Sequence, residues 1–163
     1  MHLAKHMDKK LPIKFSWGIF CQKAITDQDT KEVSIISVIP SLKIDVGKIE
    51  TIIPESNINI GLGSLHAVAL FERLDNSTVR ISEDLTIEIL QPSFEARKIE
   101  GEIVVEPTED SIFVNVKLEG VFLSVSSKES SNYSFEVVFK VKNHQLGKIV
   151  LPVKVKFESL ESN

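Results

Sequence analysis

Five carboxylates in two polar segments are the residues whose types and spacing could do chemistry. Asp27 and Asp29 stand two apart in the first, and Glu106, Glu109 and Asp110 crowd the second. A calcium ion takes about six to eight oxygen ligands, so these side chains could serve one if both segments met at the same end of the fold. Each set alone is ordinary turn chemistry, because a short carboxylate hydrogen-bonds its own backbone. Neither spacing matches an EF-hand loop. The histidines offer less. His2 and His6 have the i, i+4 spacing of a helix face but sit in a lysine-rich terminus, while His66 falls in an apolar stretch and His144 in a turn. A metal site would need His66 and His144 to converge with carboxylates from elsewhere.

Covalent catalysis needs a nucleophile beside a base, with a donor for the developing oxyanion. Cys21 is the one thiol, and no Gly-x-Ser-x-Gly elbow occurs. In the apolar run Phe15-Ser16-Trp17-Gly18-Ile19-Phe20-Cys21 the thiol reads as a small core residue, inert because apolar packing raises its pKa. Gly61-Leu62-Gly63-Ser64 holds two glycines of a dinucleotide fingerprint, but a strand pattern follows where a helix N-terminus would have to receive the pyrophosphate. It reads as a turn. No catalytic residue and no cofactor-binding residue is assigned, and no cofactor is implied.

Charge narrows the partners. A net charge of −4 sets up no field that would draw in nucleic acid or an anionic membrane. Lys5, Lys9, Lys10 and Lys14 make a small basic end, read as solvated. No apolar stretch reaches membrane-spanning length. A lone cysteine excludes an internal disulfide and suits a reducing compartment, so the expected location is the cytoplasm.

The elements that must position these residues are strands. Ile and Val number 36 against five Ala, and branched side chains pack well on a pleated surface while losing freedom on a helix. Alternation is clearest near the C-terminus, where Tyr133, Phe135, Val137, Phe139 and Val141 are followed by Ile149, Leu151, Val153, Val155 and Phe157. This predicts a hairpin around a 143–147 loop ending in Gly147. In that register Phe139 faces Leu151, Val137 faces Val153 and Glu136 meets Lys154. Pro152 cannot donate to a ladder, so its strand belongs at an edge, at least locally.

A second hairpin is predicted from 15–24 and 33–39 around a polar turn, with apolar residues on both faces. Further strands are expected near 65–74, 85–91, 99–106 and 112–125. In the last, apolar parity switches at Glu119-Gly120, as a bulge or a sheet-to-sheet bend would require. Residues 41–63 read as a wandering connection with one short strand. Together these predict an all-β fold: a two-sheet antiparallel β-sandwich of about seven to nine strands, immunoglobulin-like or C2-like, with little or no helix. Residues 1–13 are expected as a flexible basic N-terminus, 14–158 as the sandwich domain and 159–163 as a short tail.

The first hairpin, Trp17-Gly18-Ile19-Phe20-Cys21 through the turn to Val33-Ser34-Ile35-Ile36-Ser37-Val38, resembles the opening of an uncharacterised bacterial β-sandwich domain family. Asn132-Tyr133-Ser134-Phe135 and Leu151-Pro152-Val153 resemble its closing strands. The chain departs from the pattern at Ser37, where the family favours Gly, and through 40–63. The resemblance implies a compact two-sheet fold and carries no known catalytic residues.

These readings favour a non-enzymatic interaction or binding module, since sandwiches offer edge strands and loop ends for recognition. Its partner would be another protein or a second copy, including an edge-paired homodimer. A small-ligand, sugar-binding or calcium-binding sandwich is the alternative, and a hydrolase on the same scaffold the remoter one.

Overall fold

A computed structural model describes residues 11–46, 57–76, 78–92, 94–126 and 131–157. Among them are eleven strands: β1 (Ile13–Thr26), β2 (Val33–Val38), β3 (Leu42–Asp45), β4 (Asn57–Gly61), β5 (Leu65–Arg73), β6 (Ile81–Leu90), β7 (Arg97–Val105), β8 (Ser111–Leu118), β9 (Phe122–Ser126), β10 (Ser131–Val141) and β11 (His144–Lys156). No helix occurs among the described residues, hence none long and apolar enough to cross a membrane. The first sheet has the order β2-β1-β5-β8, the second β3-β11-β10-β6-β7, and a small third pairs β4 with β9.

The fold is the all-β sandwich expected, with more strands than the sequence pattern separates. One extra strand comes from the stretch read as a wandering connection with one short strand, which contributes two, β3 and β4. Another comes from splitting the long 112–125 run. There Gly120 sits at φ +63, a left-handed conformation that glycine adopts without a Cβ penalty. The chain leaves β8 in the first sheet and enters β9 in the third, so the parity switch is a sheet-to-sheet transition. One pairing departs from the antiparallel expectation: β3 runs parallel to β11, from Val153 opposite Leu42 to Lys156 opposite Asp45. Pro152 therefore lies just before the stretch where β11 gains that neighbour, which fits a locally open edge.

The closing hairpin has the expected faces and a different register. Val137 pairs with Ile149 and Phe135 with Leu151, four positions from the expected partners. The turn is the two residues Lys142 and Asn143, at φ 50 and 66, the left-handed pair that a type I′ hairpin requires. A four-residue slip preserves parity, so the apolar face survives it. Glu136 consequently pairs with Lys148 at 3.0 Å rather than meeting Lys154.

Gly147 explains the shift. It is no loop residue: it lies within β11, opposite Phe139. A Cβ built on it would fall 2.2 Å from Cγ of Phe15. Glycine in a strand interior commonly marks such a close approach. Here it lets the Phe15 ring reach across from the first sheet and join Phe71 and Phe139, with centroids 5.7 and 6.0 Å away. The core between the two large sheets is built on these rings and on Phe20, Leu85, Ile87, Phe135, Leu151 and their neighbours.

Two irregularities in β1 decide what faces outward. The ladder to β5 shifts between Phe15 and Trp17, so Phe15 points into the core while Trp17 stands outside beside Leu70. Further on, Ser37 adopts φ 55, and the ladder between Cys21–Val38 and Lys23–Ile36 omits the pair it would make. The strands change face there, so Cys21 and Ala24, three apart, join one outer cluster with Val68.

Candidate interaction surface

The fold does not bring the two carboxylate groups together. Asp27 and Asp29 sit in the turn after β1, whereas residues 106–110 lie beside the start of β1, where the Asp110 carbonyl accepts from Arg73 N–H at 2.8 Å and Arg73 pairs with Ile13. Fourteen residues of β1 separate the ends, roughly 40 Å at strand rise. Each carboxylate has local work. Asp27 Oδ1 accepts from the N–H groups of Asp29 and Thr30 at 2.9 and 2.8 Å, which holds its pKa below the usual aspartate range, the Thr30 bond contributing most. Glu109 Oε2 accepts from Glu106 N–H at 3.0 Å, and Glu106 reaches Arg80 at 3.4 Å. Among the described residues no three His, Cys, Asp or Glu gather as a metal-ligating group. His144 opens β11, and His66 is buried in β5, so these two do not converge either. His2 and His6 lie outside the described residues.

Sequence reading missed one constellation. Cys21 pairs across the ladder with His66, whose Nδ1 lies 2.9 Å from Oδ1 of Asn115 on the next strand. Thiol, imidazole and carboxamide on three adjacent strands form the trio of nucleophilic cysteine chemistry. No local spacing signals it, because the three residues are far apart in the chain. The environment is wrong for that chemistry. Cys21 is 0% exposed, and burial pushes its thiol above the ordinary value, only partly offset by a hydrogen bond with the Lys23 backbone. A protonated, enclosed thiol neither attacks nor meets a substrate. As expected, it is a core residue.

The outer faces of the two large sheets differ sharply. On the second, charged side chains pair along the strands: Glu88 with Lys140 at 2.6 Å and Lys98 at 3.6 Å, and Glu136 with Lys148. Val138, between them, is nearly buried under these long side chains. On the first sheet the same aspect is mostly apolar, with the hydrogen-bonded His66 and Asn115 at one end. Trp17 packs edge-on against Phe113 at 5.7 Å, beside Ile19 and Leu70, over the cluster of Cys21, Ala24 and Val68. The rim is charged but internally paired, Lys14 with Glu72 at 2.8 Å and Lys117 with Glu119. The exposed large apolar residues on this face include Trp17 (37%) and Val38 (55%), the ladder partner of Cys21, whereas the outer face of the second sheet exposes Val150. The edge strand agrees with this contrast: β2 carries no charge, while the terminal strand β7 presents Arg97, Lys98, Glu100 and Glu102.

A second feature is a cleft of about 1020 Å³ at the end of the sandwich where β1 begins. Ile13, Ile81 and Leu146 line its apolar part, with Glu83, Lys142 and His144 among its polar groups. Glu83 and Lys142 pair at 2.6 Å. Nearby the Arg73 guanidinium, almost fully enclosed, donates to Asp75 Oδ1 at 2.6 Å, to the Glu106 carbonyl at 3.3 Å and to the Val79 carbonyl. It thereby ties the loops at this end to each other.

No protein-family model matches the sequence, and neither does any curated protein. Among solved structures the chain is similar to the N-terminal domain of PorA, at 9% identity over 86% of this chain and 98% of that one, with a TM-score of 0.24. A likeness that slight carries no argument about fold or site.

Proposed function

We propose that the protein is a non-enzymatic interaction module that receives its partner on the outer face of the first sheet. The observation that carries this reading is the contrast between the two outer faces. An apolar, aromatic surface with a polar rim has the anatomy of a protein interface, and a monomer rarely leaves such a patch bare without use. Trp17 and Phe113 would be its anchors, since aromatic residues dominate binding energy where they are desolvated. The lone enclosed thiol suits a cytoplasmic setting.

Two photo-crosslinking residues test the reading, one replacing Val38 and one replacing Val150 (55% and 41% exposed) on opposite outer faces. Defined cross-linked species should form from position 38 and not from 150. Equal labelling from both positions, or none from either, would defeat it.

The cleft favours a second reading, a small-ligand-binding sandwich. Its volume and its mix of apolar lining with a few convergent polar groups suit an organic ligand. A thermal-shift screen of metabolites, sugars and Ca²⁺ in which Ile81→Trp abolishes every stabilising hit would support it; a screen without hits would remove it.

A further inference from the structure

We infer that the partner on this face is a second copy of the chain, the two first sheets meeting face to face about a two-fold axis. The inference rests on reading the outer face as an interface, and adds the identity of its occupant. In an isologous contact every group near the axis approaches its own kind, so an unpaired charge there would meet the same charge. The centre of this face carries no Lys, Arg, Asp or Glu: Trp17, Ile19, Val68, Leu70 and Phe113 fill most of it, and its polar members, Asn115 and His66, are hydrogen-bonded to each other. The rim charges are already matched within the chain, Lys14 by Glu72 and Lys117 by Glu119. A strongly charged foreign partner would find no complementary field here, whereas a neutral copy meets no repulsion.

Geometry favours the face over the edge. Ser37 at φ 55 breaks the regular extended run of β2 without changing its register, and an irregular edge is a poor template for strand addition. Size then sets the strength. Four strands about 4.8 Å apart and about eight residues long span roughly 500 Å² in plane. Stable complexes bury about 800 Å² per partner, so side-chain relief and the rim must supply the rest, and the dimer belongs in the micromolar range.

Trp17 is the chain's one tryptophan and lies in the proposed contact, so it reports directly on the contact. The experiment combines sedimentation velocity with tryptophan emission on the full chain from about 0.1 to 200 µM, a span that brackets a micromolar Kd. The expected result is a rise from 18.2 kDa towards twice that mass, with a parallel blue shift as Trp17 leaves water. Val38→Lys should keep the monomer mass throughout, and Val150→Lys should follow the wild type, both with unchanged circular dichroism. Should Val38→Lys fail to fold, the wild-type coupling of mass to emission still decides. A constant monomer mass overturns the inference, as does a dimer formed without any emission change. If the chain stays monomeric while the position-38 cross-linker captures a defined different protein, the interface reading stands and the second copy falls.

Discussion

The two outer faces of this sandwich are built on the same principle of alternation and finished in opposite ways. On the second sheet, Glu88, Glu136, Lys140 and Lys148 project outward and pair, covering Val138 with their aliphatic stems. On the first, Trp17, Ile19, Val68, Leu70 and Phe113 take most outward positions of β1, β5 and β8, with the hydrogen-bonded His66 and Asn115 beside them and Lys117 at the rim. The inner faces are apolar in both, so the difference does not come from what the core needs. A strand with one apolar face is asking to form a sandwich; a strand with two is asking for something more to cover it.

The sharpest test places one charge on each face. Val68→Asp puts a carboxylate where the native side chain is 0% exposed, among apolar neighbours and with Lys117, the nearest rim cation, already paired with Glu119. The expected cost is about 3–5 kcal/mol, read as a large fall in the urea midpoint. Val150→Lys, directly opposite Glu136 on the second sheet, should stay within about 0.5 kcal/mol of wild type. Equal losses would dissolve the contrast.

The next largest effect checks the register that assigns residues to faces at all. With Gly147 inside β11 beneath the Phe15 ring, Gly147→Ala forces ring or strand to move and should cost about 3 kcal/mol. Were Gly147 in a solvated loop, the same change would be nearly neutral. Urea unfolding of this one variant separates the two arrangements.

That residue also shows where the sequence is legible and where it is not. Alternation identified the strands and faces of the closing hairpin, because parity depends only on neighbours along the chain. Register depends on which turn closes the hairpin, and Gly147 imitates a turn residue for a reason that lies in the other sheet. Parity likewise located the transition at Gly120, though not the small sheet into which it leads. The separation of Asp27 from Glu109, and the meeting of Cys21 with His66 and Asn115, follow from the strand order, which no local pattern records. Residues 40–63 resisted reading because β3 and β4 are short and find their partners, β11 and β9, far along the chain.

A smaller effect concerns the point where β2 changes face. Ser37 holds a left-handed backbone that costs an L-residue about 1–2 kcal/mol and glycine almost nothing, although glycine loses more freedom on folding. Ser37→Gly should therefore stabilise the fold by about 0.5–1 kcal/mol, seen as a Tm increase of a few degrees. A loss of stability would show that the serine side chain contributes more than its backbone costs.

The smallest effect separates the faces by pH. On the second sheet the hydrogen bond from Lys140, with a lesser contribution from Lys98, holds the Glu88 carboxyl below the usual glutamate range. The unfolded chain then takes up the proton at higher pH than the native one. The stability Glu88 supplies is complete above the ordinary glutamate range and drains away as the pH falls through its lowered native value. The pair is near the surface, so the amount is modest and screened by salt. Wild type and Glu88→Gln should differ by a constant urea-midpoint gap near neutrality that closes in acid. On the first sheet the carboxylates shifted in the same direction, Glu72 and Glu119, stand at the rim, Trp17 and Val68 have nothing to titrate, and carrying His66→Gln in both proteins removes the imidazole that the ladder places on this face. Acid should therefore loosen the ladder of the second sheet while the apolar centre of the first keeps its packing. A Trp17 emission that stays constant while the Glu88→Gln gap closes would place the pH dependence on one face; an emission that follows the gap would show the two faces to be coupled through the core.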